Sequence, residues 1–270
     1  MIEIRDRRNG AVLRRVEADA LAGADLSGLL APFADLAAMD LSGSMFRTAD
    51  ICQSDGRKAR ADGADLSSAD LSGGNWEGAS FRGTLLYDAK MLGMPLMNCD
   101  FRDARASGVS FQFSCLAGAD LTSGDFRRCE FFQCSLAGAR LVGCDLADSI
   151  LRQADLADCD LTGCTLAGAN LTGANLRGAI LRDCDLSATN LSEADLAGAD
   201  FSGAMTLKTI FAGCRNLSGA KGLEKVSHAA PSRIDLATLR ENWKGLPDVF
   251  LEGVGLAKAE IAAFRVAWAA

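Results

Sequence analysis

Histidine and tyrosine each occur once in this chain of 270 residues, tryptophan three times and proline four times. A single imidazole, His228, leaves little to build a zinc set or a recurring acid–base pair on. Aromatic residues make up only 6% although apolar residues reach 49%, so a core must be assembled from Leu, Ala, Phe and Cys. No apolar run approaches the ~18 residues of a membrane span. The first ten residues, MIEIRDRRNG, are too charged for a signal peptide. These absences predict a water-soluble, cytoplasmic protein without a membrane partner, long enough for one or two domains.

The net charge of −7 is unevenly spread. Residues 21–211 hold 25 acids and 15 bases, whereas residues 1–20 come to +1 and residues 212–270 to +2. An acidic body with slightly basic ends argues against direct nucleic-acid binding.

What the chain has in abundance is a repeat of five. Stepping by five from Leu21 to Phe211 gives 39 positions, of which 34 are Leu, Phe, Ile, Met or Trp. The exceptions are Ala31, Gly56, Ala61, Ala106 and Thr206. A small residue stands two places before nearly every centre, as at Ala64, Ala119, Ala174 and Cys184. Asp or Asn usually stands one place before it, and two polar or glycine residues follow. Five is neither a strand period nor a helix period. One large and one small inward side chain per unit instead describe one side of a square coil, with the polar pair at the corner. Four units close the square in 20 residues, and stacked coils pair as parallel strands about 4.8 Å apart. The roughly 190 residues would give nine to ten coils and a rod ~45 Å long.

This A-(D/N)-L-x-x pattern resembles the pentapeptide repeat proteins. The resemblance implies an all-β solenoid, a right-handed quadrilateral parallel β-helix, over residues 21–222. An N-terminal β-hairpin cap is expected at 1–20, turning at Asn9-Gly10, and a helical tail at 223–270. Near Leu217 the five-residue frame slips by one and closes the repeat. Residues 20 apart should stack, so Phe81 and Phe101, and Phe111 and Phe131, should form aromatic ladders.

Eight of the ten cysteines occupy the small inward position, among them Cys144, Cys164 and Cys184 in one column. Zinc ligation or a redox pair is one reading of the C-x₄-C spacings at Cys129/Cys134 and Cys159/Cys164. The favoured reading is that cysteine replaces alanine as a small buried residue, with no metal and no cofactor.

The tail carries helical patterns. "SRIDLATLREN" predicts a short helix with Ser232 as its N-cap. Ile261, Phe264 and Trp268 fall on one face of a later helix. With Phe250 and Leu251 they either cap the last coil or form an interface, as the contact of a homodimer or a docking segment for a partner.

Breaks in a regular wall are where function can show. In "CQSDGRKARADG", residues 52–63, two successive centres are Gly56 and Ala61. The stretch predicts a protruding loop over residues 53–62 whose Arg57, Lys58 and Arg60 contact a partner. "MLGMPLMNC" puts Pro95 on the wall and predicts a local distortion. Ala106 under-fills its site.

No catalytic residue is assigned, because a filled rod predicts no pocket to hold an acid, base or nucleophile. The expected function is non-catalytic protein binding, as scaffold or adaptor. The family resemblance implies an alternative, since quinolone-resistance members imitate duplex DNA and bind type II topoisomerases such as DNA gyrase. About 45 Å of B-DNA carries ~26 charges. The acids match that number, but each side of the square nets only −2 or −3, so no face is a clean acidic stripe.

Overall fold

A computed structural model describes residues 1–268. From Leu21 to Ala204 the chain repeats one local conformation. At nearly every corner the carbonyl of a centre accepts from the amide three residues on, as in Ala24 N to Leu21 O at 3.0 Å. The residue two after the centre takes a positive φ: 73° at Gly23, 58° at Lys58 and 61° at Phe113. A four-residue turn with its third residue left-handed is type II geometry, which glycine enters without strain. That conformation is why the corner is polar or glycine.

Successive coils then meet as parallel bridges at a spacing of 20, from Asp25 with Met45 to Asp195 with Arg215. Each meeting is short: Leu26 N donates to Met45 O at 2.7 Å, and Met45 N to Ala24 O at 2.9 Å. The bridging residue stands one place before the centre, so the residues on either side of it point inward. Four such sides make a quadrilateral β-helix. The bridge of Asp200 with Lys221 is 21 residues apart and marks the slip in frame.

The centres fill the bore. Leu171, Leu176 and Leu181 are fully buried, and each such leucine contributes roughly 1.5–3 kcal/mol. The aromatic ladders are present. Phe81 stacks on Phe101 with centroids 4.7 Å apart, and Phe111 on Phe131 at 5.1 Å.

Residues 53–62 do not protrude. Asp55 bridges Asp35 and Asn75, and Arg60 bridges Asp40 and Ser80, so the segment lies in the wall. The reason is one coil above it. A Cβ on Gly56 would lie 2.2 Å from the Trp76 ring, and Trp76 is fully buried. Ala61 likewise precedes Phe81 by 20 residues, and Ala106 precedes Phe126. Each under-filled centre is the complement of an oversized plug in the next coil. Pro95, by contrast, does disturb the ladder: the bridge between residues 75 and 95 is missing, while Pro95 still bridges Cys115.

At the N-terminus, strands β1 (Ile2–Asp6) and β2 (Val12–Val16) form a hairpin. Strand β1 also pairs antiparallel with β3 (Ala34–Asp35), which buries Ile4. The Arg8 guanidinium lies 3.5 Å over the Phe33 ring.

At the other end, β4 (Met205–Leu207) pairs in parallel with β6 (Ser227–Ala230), and β5 (Ile210–Phe211) with β7 (Arg233–Ile234). Because residues 233–234 continue the ladder, helix α1 (Leu236–Asn242) starts later than expected. Its N-cap is Asp235, whose carboxylate accepts from Thr238 N at 3.0 Å, and Ser232 is buried before it. Helices α2 (Asp248–Gly253) and α3 (Lys258–Ala267) complete the tail. Among the described residues no helix is long and apolar enough to cross a membrane.

Candidate functional surface

Among the described residues the leading hollows lie at the ends and on the skin. One of about 290 Å³ opens between β2 and residues 25–30. Chemistry must therefore be sought on the skin and at the ends.

The acids of the repeat are largely engaged by the fold. The carboxylate before a centre accepts the backbone amide two residues on: Ser27 N to Asp25 and Ser42 N to Asp40, both at 3.0 Å, and Ser187 N to Asp185 at 2.9 Å. This is an Asx turn, the physical reason for Asp or Asn at that position. Arginines at the corners then neutralise many of these carboxylates. Arg102 bonds Asp100 through Nε at 2.8 Å and reaches Asp120 in the next coil at 3.8 Å. Arg127 spans Asp125 at 2.7 Å and Asp145 at 3.6 Å. Hydrogen bonds from Arg127 hold the Asp125 carboxyl below its usual range, and Arg57 does the same for Asp55.

The three basic residues expected on a loop sit in that wall. Arg57 is paired with Asp55 at 2.6 Å and Arg60 with Asp40, while Lys58 is exposed at a corner. Their side chains face the solvent, but two of the three charges are matched within the rod.

The inward thiols are structural. Cys129 Sγ donates to Ala106 O at 2.9 Å, Cys144 to Leu121 O at 2.8 Å and Cys184 to Leu161 O at 2.9 Å. Thr84, Thr189 and Thr209 at equivalent positions donate their hydroxyls to Ala61, Leu166 and Leu186. Burial pushes the Cys99, Cys159 and Cys214 thiols up to about 12, which keeps them protonated. Among the described residues no three His, Cys, Asp or Glu side chains converge as metal ligands do.

Of the five tail residues singled out in the sequence, Phe250, Leu251 and Ile261 are buried within the cap. The Phe250 ring meets Phe211 edge-on at 5.5 Å, so it seals the last coil and is not offered to a second copy. Phe264 and Trp268 are half-buried and stack on each other at 4.7 Å. His228 is wedged beside Phe250, its Nδ1 2.9 Å from Thr206 Oγ1 and its Nε2 buried without a partner.

A different surface is marked by the charge it lacks. Residues 91–99, 111–119 and 131–139 carry no charged side chain, in a chain that is 23% charged. They are 20 apart, so they stack as one uncharged panel wrapping a corner of three coils. Its prominent members are Phe113, 57% exposed, and Phe132, whose ring meets Phe113 edge-on at 5.6 Å. Charge-free segments at the coil period were the available signal.

A family model described as pentapeptide repeats matches the chain in eight copies, over residues 64–103, 96–122, 129–168 and 169–204. No curated protein matches. Solved structures similar to the chain include HetL, a pentapeptide repeat protein involved in heterocyst differentiation regulation from the cyanobacterium Nostoc sp. strain PCC 7120. It is 24% identical over 79% of this chain and 90% of its own, with a TM-score of 0.28. A pentapeptide repeat protein of the Arabidopsis thaliana thylakoid lumen is 30% identical over 38% of this chain and 69% of its own, with a TM-score of 0.31. Full-length QnrB1, a plasmid-mediated fluoroquinolone resistance protein, is 17% identical over 84% of this chain and 99% of its own, with a TM-score of 0.33. Together with the unbroken five-residue frame, the family match makes this chain a member of the pentapeptide repeat family.

Proposed function

We propose that the chain is a non-catalytic, right-handed β-helical rod that binds another protein through its outer walls, as a scaffold or adaptor. One observation carries this reading: side chains plug the bore from Leu21 to Phe211, so only the skin can act. Buried thiols such as Cys99 are kept protonated, and the single imidazole is wedged into the end cap beside Thr206, which supports a binding role.

Imitation of DNA by the whole rod has less support. The ladder carboxylates accept backbone amides, and many face an arginine of the same or the next coil. A DNA mimic needs uncompensated charge at the spacing of phosphates.

The test is a pull-down with the full chain immobilised, followed by reconstitution with the purified partner. A stable complex competed by free rod is the expected result. If nothing is retained beyond what an unrelated β-helix retains, the reading fails. In parallel, micromolar rod should leave gyrase supercoiling unchanged. Inhibition, or protection from a gyrase poison, would reinstate the topoisomerase reading.

A further inference from the structure

We propose that the uncharged corner around Phe113 and Phe132 is a docking site for an extended acidic segment of another protein, with an aromatic or leucine anchor between two carboxylates. This rests on the protein-binding reading and names the surface and the partner's chemistry.

Phe113 is out of place by its exposure. It stands at a corner with φ 61°, the left-handed conformation that every corner of this rod adopts, and as a large apolar residue there it is 57% exposed. Phe33 has a similar φ of 63°, but the Arg8 guanidinium covers its ring. Among the described residues no guanidinium lies over Phe113, and its aromatic neighbour is Phe132, met edge-on. A Cβ on Gly93, one coil below at the same corner, would meet nothing within 4 Å, so the space beneath the ring is open. Ile150 is 41% exposed and extends the apolar surface upward. An exposed aromatic pair on an uncharged face is the kind of patch that marks an interaction site.

Charge on the flank that precedes the panel selects the occupant, since on the far flank Asp100 and Asp120 face Arg102. On the adjoining wall the bridges run Lys90, Ser110, Glu130, Ile150. Glu130 accepts from Ser110 and Gln112, so its carboxylate is engaged within the wall. Lys90 lies at the lower rim, with only a 3.9 Å contact to Asp70. Arg152 lies at the upper rim, exposed and without an ion pair among the described residues. The two cations are three coils apart, about 14 Å along the axis. An antiparallel second copy would set Lys90 against Arg152 of its partner, and each copy carries −7. A foreign strand with carboxylates about four residues apart fits instead, because 3.3 Å per residue spans ~13 Å and places alternate side chains on one face.

The probe is a labelled peptide, acetyl-Gly-Glu-Ala-Phe-Ala-Glu-Gly-amide, titrated against the full-length rod by fluorescence anisotropy. Saturable binding is expected, weakened about tenfold or more by Phe113→Asn and by Arg152→Glu. A peptide with lysine in place of glutamate should not bind. Phe113→Asn should melt no lower than the unaltered rod, since asparagine tolerates a left-handed corner. No saturable binding by about 1 mM peptide, equal affinity in Phe113→Asn, or a lowered melting temperature in that variant each overturns the site. These titrations use no captured protein, so their failure removes the site and leaves the protein-binding reading to its own pull-down.

Discussion

Two stretches of the same rod fill their bore in different ways. From Leu136 to Leu196 every centre is leucine, and each coil repeats the one beneath it. Between Gly56 and Phe131 the centres range from glycine to tryptophan. Both stretches are fully buried. Constant volume along the axis is therefore the rule, and uniform leucine is only one way to meet it: Gly56 under Trp76, Ala61 under Phe81 and Ala106 under Phe126 are the other. The varied stretch is also where the uncharged panel lies. In this rod, irregular packing and irregular skin coincide.

The comparison can be broken from the regular side first. Leu171→Ala opens a cavity between identical neighbours and should cost about 2–5 kcal/mol, read from the urea midpoint. Adding Leu191→Phe, which copies the Ala106–Phe126 relation, should recover part of that loss. No recovery would mean that complementary pairs need more than a matching volume.

From the irregular side, restoring the consensus should harm. Gly56→Leu drives a side chain into Trp76 and should cost about 1–3 kcal/mol or more. Trp76→Leu in the same chain should relieve it, although each single change destabilises. A Gly56→Leu rod as stable as the original would show that residues 53–62 can leave the wall.

The ends differ from the body in a way that pH can expose. Burial depresses the His228 pKa below its ordinary 6.5, and Nε2 has no partner to receive a proton's charge. The unfolded chain therefore binds more protons than the folded one as pH falls past about 6.5. Stability of the tail should be complete above that pH and decline below it, seen as a falling melting transition from tryptophan fluorescence. His228→Gln should flatten that decline. The repeat body, whose lowered carboxylates such as Asp125 lose their arginine contacts only in the acid range, should hold to lower pH.

The smallest effect concerns the thiols. Cys164→Ala removes a 2.6 Å bond to Leu141 O, but that carbonyl keeps its bond from Cys144 N at 3.0 Å. The cost should be about 0.5–1.5 kcal/mol. In the folded rod only the half-buried Cys52 and Cys115 are open to a thiol reagent, and Cys52 should react slowly, because burial pushes its thiol up to about 11. Rapid reaction of more than two would refute the packing of the inward column.

Much of the fold was legible because it is local. A corner every five residues needs a left-handed residue, an Asx turn and one large inward side chain, and all three leave their mark within one repeat. The aromatic ladders followed as soon as the 20-residue coil was recognised. The supposed loop at residues 53–62 was misread because glycine at a centre looks like a defect until its neighbour 20 residues on is placed above it. The tail was only half legible. Helical spacing marked Ile261 as apolar, but only packing could show that Phe250 meets Phe211 and that Asp235, not Ser232, begins the helix.

By itself, then, the order of residues determined a filled square coil, because each repeat carries its own turn chemistry and its own inward pair. Tertiary structure decided which oddities are packing complements, which carboxylates an arginine neutralises, and where uncharged segments meet as one face. Those are relations between coils. They depend on what stands 20 residues away, and a single repeat does not encode them.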